Sequence, residues 1–279
     1  MAPHSNPSGS NHPSDRDTEA LERAWDAFEA AELDKAAEAV QRLMRRTGGH
    51  PEVRFLRGAL LLEEDAPDKA LEEFDACANQ VEDRLLLAFY RGLALFDLAR
   101  FEEAEAALLQ AVDLDPGSVR YELAQVREHL GRFADAERDY AAAHAVDAEA
   151  FPLPLRVSAT EFEEAIHSGR ERLPGMLRDR LDEVPVVVED LPPRAILTHT
   201  EGGDLTPDLL GLFVGRNIRE ESVFEVPGIP PAIYLYKRNL ERACPSREEL
   251  VAEIETTLYH ELGHYLGFEE DELHDLDVG

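Results

Sequence analysis

Positive charge is scarce in this chain: 28 Lys and Arg stand against 59 Asp and Glu over 279 residues, a formal charge of −31. A field of that sign repels phosphate backbones, so no nucleic-acid partner is expected, and a well-solvated acidic surface is the simplest reading. Cysteine is scarcer still, with only Cys77 and Cys244. They form no C-x-x-C pair, which argues against a disulfide framework and against a cysteine zinc site. Nowhere is an apolar run long enough to span a bilayer, so no membrane contact is expected. Residues 1–16 are rich in Ser, Pro, Asn and Gly and lack the basic start and apolar stretch of a secretory signal. They read as a disordered tail, and the expected location is the cytoplasm. Hydrophobic residues make up 44% of the chain, enough for a sizeable core.

What is present first is repetition. Residues 17–150 read as helical, and Asp34-Lys35-Ala36 and Asp68-Lys69-Ala70 open similar segments. Phe101-Glu102-Glu103-Ala104 and Phe133-Ala134-Asp135-Ala136 follow, at a period of about 34 residues. A second series of small residues, Ala24, Gly58, Gly92 and Ala124, keeps step with the first. In a two-helix repeat, small residues let paired helices approach while large neighbours fill the groove to the next unit. Asp115-Pro116-Gly117 reads as a helix stop between units. Period, small residues and this stop together resemble tetratricopeptide repeats. The resemblance implies a concave groove for a protein or peptide partner. Trp25, Phe28, Phe55, Phe89, Tyr90 and Phe96 are candidates to line it, although aromatics at helical spacing are core residues first.

Pro152 and Pro154 break the helical rhythm and set the expected start of a second domain at residue 151, extending to 279. Thr160 with Glu163 has the pattern of a capping box. Segments 184–190, 209–214 and 232–236 read as strands, and 191–207 as a loop. The last helix is the best marked, with Ser246 and Glu249 at its start and Gly267 at its end. Its apolar face is Leu250, Val251, Ile254, Leu258, Leu262 and Tyr265.

That helix carries His260, Glu261 and His264. Side chains four apart share a helix face, so two imidazoles can reach one ion, and neutral imidazole suits Zn²⁺. A carboxylate one residue after the first His can act as general base on a zinc-activated water. In the longer motif H-E-x-x-H-x-x-G-x-x-[H/D], the residue three beyond the Gly returns to the metal. Here it is Glu270, with Asp271 and His274 as rivals.

The region from about 160 to 276 resembles a family of very small bacterial zincins, the minimal metallopeptidases. Val186-Val187-Val188-Glu189-Asp190, Leu209-Leu210-Gly211-Leu212-Phe213 and Ile233-Tyr234-Leu235-Tyr236 carry the likeness, followed by residues 256–267. The resemblance implies a compact α/β domain with zinc held by His260, His264 and Glu270 and with Glu261 as base. It also makes residues 232–236 the edge strand that would pair with an extended peptide. Larger metzincins continue into a methionine turn, whereas no Met follows Met176 here. The expected fold is thus an all-α helical repeat array followed by a small α/β (α+β) zincin-like domain. The expected function is that of a zinc-dependent metallopeptidase whose repeats engage protein. A non-enzymatic adaptor is the alternative, as is a structural metal closed by His199 or His274.

Overall fold

A computed structural model describes residues 14–199, 205–219 and 222–268. Eight helices come first, in four antiparallel pairs. They are α1 (Asp15–Glu29) with α2 (Leu33–Thr47), α3 (Pro51–Glu63) with α4 (Pro67–Cys77), α5 (Arg84–Asp97) with α6 (Phe101–Gln110), and α7 (Pro116–His129) with α8 (Phe133–Val146). Asp115, read above as part of a stop, is also the N-cap of α7: its carboxylate accepts from the Gly117 and Ser118 N–H groups, with Pro116 at the first helical position.

Within each pair the chain reverses through one left-handed residue: Ala31 (φ 56°), Asp65 (φ 52°), Ala99 (φ 53°) and Gly131 (φ 72°). The same turn therefore recurs with the repeat, and only the last copy uses the residue that adopts it without a Cβ penalty. The small-residue series lies where paired helices touch. A methyl on Gly58 would strike the Phe74 ring, and one on Gly92 would strike Leu108. Ala24 and Ala124 are fully buried. Cys77 lies in the core of its pair, and its thiol is pushed up to about 11 by burial, then by Glu52.

The chain divides into two compact units. One runs to Leu95 and includes Glu103–Leu114; the other takes Phe96–Glu102 and everything from Asp115 onward. In the second unit α7 and α8 are followed by α9 (Ala159–Arg172), α10 (Gly175–Leu181), β1 (Val186–Glu189), α11 (Arg194–Leu197) and β2 (Gly211–Arg216). Then come β3 (Ser222–Phe224), β4 (Ala232–Tyr236), α12 (Lys237–Ala243) and α13 (Arg247–Leu266). The sheet order is β1-β4-β2-β3, with β1 parallel to β4 and the other pairs antiparallel. One sheet face, with Phe213, Ile233 and Leu235, packs on Leu250, Ile254, Leu258 and Leu262 of α13. The other face, with Val214, Tyr234 and Tyr236, is covered by Ile196, Phe224 and Val226.

Several expectations are corrected here. The capping box of α9 is Ser158 with Glu161, two residues earlier than Thr160 and Glu163. The segment read as a loop contains α11, and β3 and α12 are additional elements. Most consequential for the site, residues 232–236 form no edge strand. All five are buried, and β4 lies between β1 and β2.

A buried ion cluster ties α7 to α12 within the second unit. The Glu128 carboxylate, 1% exposed, accepts from Arg156 Nη2 (2.7 Å), Arg238 Nη1 (2.7 Å), Arg242 Nη1 (3.3 Å) and the Tyr140 hydroxyl (3.0 Å). Glu241, also buried, accepts from Arg156 Nη1 (3.2 Å), the Val157 N–H (3.0 Å) and Lys237. Charges so deep are tolerable because each carboxylate is paired with more than one cation, although Arg238 Nε is buried without a hydrogen-bond partner among the described residues.

Candidate metal centre

The helix that bears the motif is fixed at both ends. The Ser246 hydroxyl accepts from the Glu249 N–H (3.2 Å). Gly267 closes α13 in a left-handed conformation (φ 83°), and the Phe268 N–H returns to the Gly263 carbonyl (3.0 Å). Leu250, Ile254, Leu258 and Leu262 are fully buried against the sheet, which fixes the rotation of the helix.

With that rotation set, His260 and His264 stand one turn apart on a half-buried face. Their Nε2 atoms are 3.1 Å apart, with the rings nearly perpendicular at a centroid distance of 4.7 Å. The two nitrogens therefore converge on one region of space. Glu261 lies between them in sequence but turns to the sheet. It is 7% exposed, and its Oε2 accepts the Phe213 N–H at 2.5 Å.

The β2 register explains why that N–H is available. Tyr236 N–H donates to the Leu210 carbonyl, and Leu212 and Val214 pair with Tyr234 and Ala232. The backbone polar groups of 210, 212 and 214 thus point to β4, and those of 211 and 213 to the opposite edge. β3 covers that edge only at Gly215 and Arg216, leaving Phe213 to meet the carboxylate. Gly211 makes the approach possible: a methyl there would collide with Thr257, would sit 3.0 Å from the Tyr234 carbonyl oxygen and would touch Glu261 Cγ at 3.5 Å. Sequence reasoning missed both Gly211 and the Phe213 amide. A single Gly inside an apolar strand is the signal that pointed to the first.

Around the helix end, Tyr265 packs edge-on against Phe213 (5.6 Å) and donates its hydroxyl to Glu183 (3.3 Å). Burial, then the Glu183 charge, pushes that phenol above its ordinary range. The Ile218 N–H donates to the Tyr265 carbonyl (2.9 Å) and fixes the turn after β2 on the last turn of α13.

Not every expected residue falls in this picture. Glu270, Asp271 and His274 lie outside the described residues. His199 packs edge-on against Phe224 (5.4 Å). Among the described residues, no three His, Cys, Asp or Glu side chains form a group able to hold a metal ion. Also among them, no helix is long and apolar enough to cross a membrane.

Comparison with known proteins divides the chain in two. Residues 181–279 match the family model of the zincin-like metallopeptidases, and residues 21–80 and 89–152 match tetratricopeptide-repeat models. Similar solved structures include MamA, at 17% identity over 44% of this chain and 74% of that one, with a TM-score of 0.38. A second MamA structure, from AMB-1, gives 24% identity over 46% and 71%, with a TM-score of 0.38. A thermophilic TPR protein of Thermus thermophilus is similar at 20% identity over 49% and 94%, with a TM-score of 0.34. No curated protein sequence matches.

Proposed function

We propose that this chain, tetratricopeptide repeats joined to a zincin-like metallopeptidase domain, is a zinc-dependent peptidase whose repeats engage protein. The observation that carries the reading is the convergence of His260 and His264 Nε2 at 3.1 Å on the helix of the H-E-x-x-H motif. Two nitrogens bound to zinc at 2.0–2.1 Å lie roughly 3.3 Å apart along a tetrahedral edge, so the pair fits the ion. His260 and His264 would hold it, with Glu270 as the proposed third ligand. When bound, zinc supplies a Lewis acid and a more acidic water.

The chain's own residues do the rest. Glu261 takes the proton as general base, and the Phe213 N–H holds its carboxylate in one orientation. The strand beside that carboxylate is β2. Its outer edge at Gly211, rather than β4, is where an extended peptide would lie, the Phe213 N–H being already taken by Glu261. Tetratricopeptide repeats are protein-interaction modules, and here they would recruit or position the substrate.

Glu261→Gln tests the role of the base. The variant keeps its shape and the Phe213 contact, so it should retain zinc while hydrolysis of a peptide library falls by roughly 10²–10⁴-fold. Wild-type protein that holds zinc but cleaves nothing would instead favour the adaptor.

A further inference from the structure

Cations are few in this molecule, yet six of them line one groove of about 560 Å³ in the first unit. Arg16 and Arg23 come from α1, and Lys35, Arg42, Arg45 and Arg46 from α2. Leu43, with Ala20 and Ala39, forms an apolar floor between the two rows. Three of the six have acidic neighbours: Arg46 with Asp17 (2.5 Å), Lys35 with Glu32 (2.5 Å) and Arg42 with Glu38 (3.2 Å). The Lys35 and Arg42 pairs are exposed and of the weak kind that an incoming carboxylate can replace, whereas the Asp17 side chain is largely buried beside Arg46. Arg16, Arg23 and Arg45 make no ion pair among the described residues.

The groove lies on the outer face of the first helix pair. α2 turns Val40, Gln41 and Met44 towards Leu60 and Leu61 of α3, whereas Lys35, Ala39, Arg42 and Arg46 follow one another along its other side, and Arg45 stands between, lining both the groove and the cleft against α3. Solvation of a helix face accounts for charge in general but not for six cations on one groove, three of them without an acidic partner among the described residues, in a chain of net −31.

We propose that this groove binds an extended acidic segment of a partner protein, with the guanidinium groups of Arg16, Arg23 and Arg45 taking its carboxylates. Arg16 to Arg23 spans about 10 Å of helix and Lys35 to Arg46 about 16 Å. An extended segment of about five residues covers that length. Guanidinium forks match carboxylates in pairs, and the Leu43 floor suits an apolar side chain set among the acids. A long polyanion such as nucleic acid meets the repulsion of the whole −31 field, which a short acidic segment largely escapes. The proposal stands on the first unit alone and holds whether or not the C-terminal site hydrolyses peptides.

Fluorescence anisotropy of a labelled Asp-Glu-Leu-Glu-Asp peptide with the full chain tests it. Saturable binding should weaken at least about tenfold between roughly 50 and 200 mM salt. It should weaken about tenfold or more in Arg16→Gln/Arg23→Gln/Arg45→Gln, and by a smaller factor in the corresponding triple Lys variant, which keeps the charge but loses the guanidinium fork. Circular dichroism checks that each variant folds; if the Gln variant does not, Arg23→Glu replaces it with the same expected loss. Absent binding at low salt, or binding unchanged in the neutral variant, would overturn the proposal. So would an oligonucleotide that binds more tightly than the peptide.

Discussion

At the scale of single residues, the left-handed turns and one half-buried imidazole make the sharpest statements. Ala31 carries a Cβ in a conformation that costs a non-glycine residue about 1–2 kcal/mol, and the equivalent Gly131 avoids that cost. Ala31→Gly should therefore stabilise the first unit by about 0.5–1 kcal/mol after the extra unfolded-state entropy of Gly is allowed for, as read from denaturant melts. His129 stacks on Phe101 at 4.4 Å, and burial, with Arg242 second, pushes its imidazole down to about 3. The native state keeps this ring neutral, while the unfolded chain protonates it below its ordinary value near 6.5. Its contribution is thus full above pH 6.5 and is lost as pH falls towards 3, at roughly 1.4 kcal/mol per pH unit. His129→Phe should flatten that part of the stability curve, and an unchanged slope would contradict the assignment. Neither feature was readable in advance. Nothing marks Ala31 as left-handed until the repeat places it beside Gly131, and His129 is covered in part by partners distant in sequence.

At the scale of elements, Glu128 on α7 faces three guanidiniums from the 156 and 238–242 segments. Removing one member of a buried cluster strands the others, so Glu128→Ala should cost roughly 3–5 kcal/mol in the stability of the second unit. Thermal and denaturant melts of the full chain read this directly; a loss under about 1 kcal/mol would show the cluster to be well solvated. The long elements were legible because their signals are local. The period of small residues marked the paired helices, and Ser246 and Gly267 bracketed α13. The short ones were not: α11, α12 and β3 hold four, seven and three residues, too few for a period to show. Strand order was equally hidden. The strongly apolar run at 232–236 suits a central strand, yet resemblance to larger zincins made it an edge. In the site, helical spacing placed both imidazoles on one face. The Phe213 amide that holds Glu261 depends on pairing across 48 residues, and no local pattern encodes it.

At the scale of the molecule, the two proposed sites lie in different parts of one acidic chain. Helix pairs of the first unit present surface, including a basic groove that runs against the overall charge. The second unit presses one capped helix onto a four-stranded sheet, so that two imidazoles converge and a carboxylate between them is held from behind. The proposed peptidase reading presupposes that this helix holds a metal, whereas the proposed groove in the first unit does not. The most direct test is the zinc content of full-length protein purified without chelator or added metal, beside His260→Ala/His264→Ala prepared in the same way. The account predicts about one zinc per wild-type chain and almost none in the variant. Wild-type protein that is metal-free and takes up no zinc at neutral pH would contradict it.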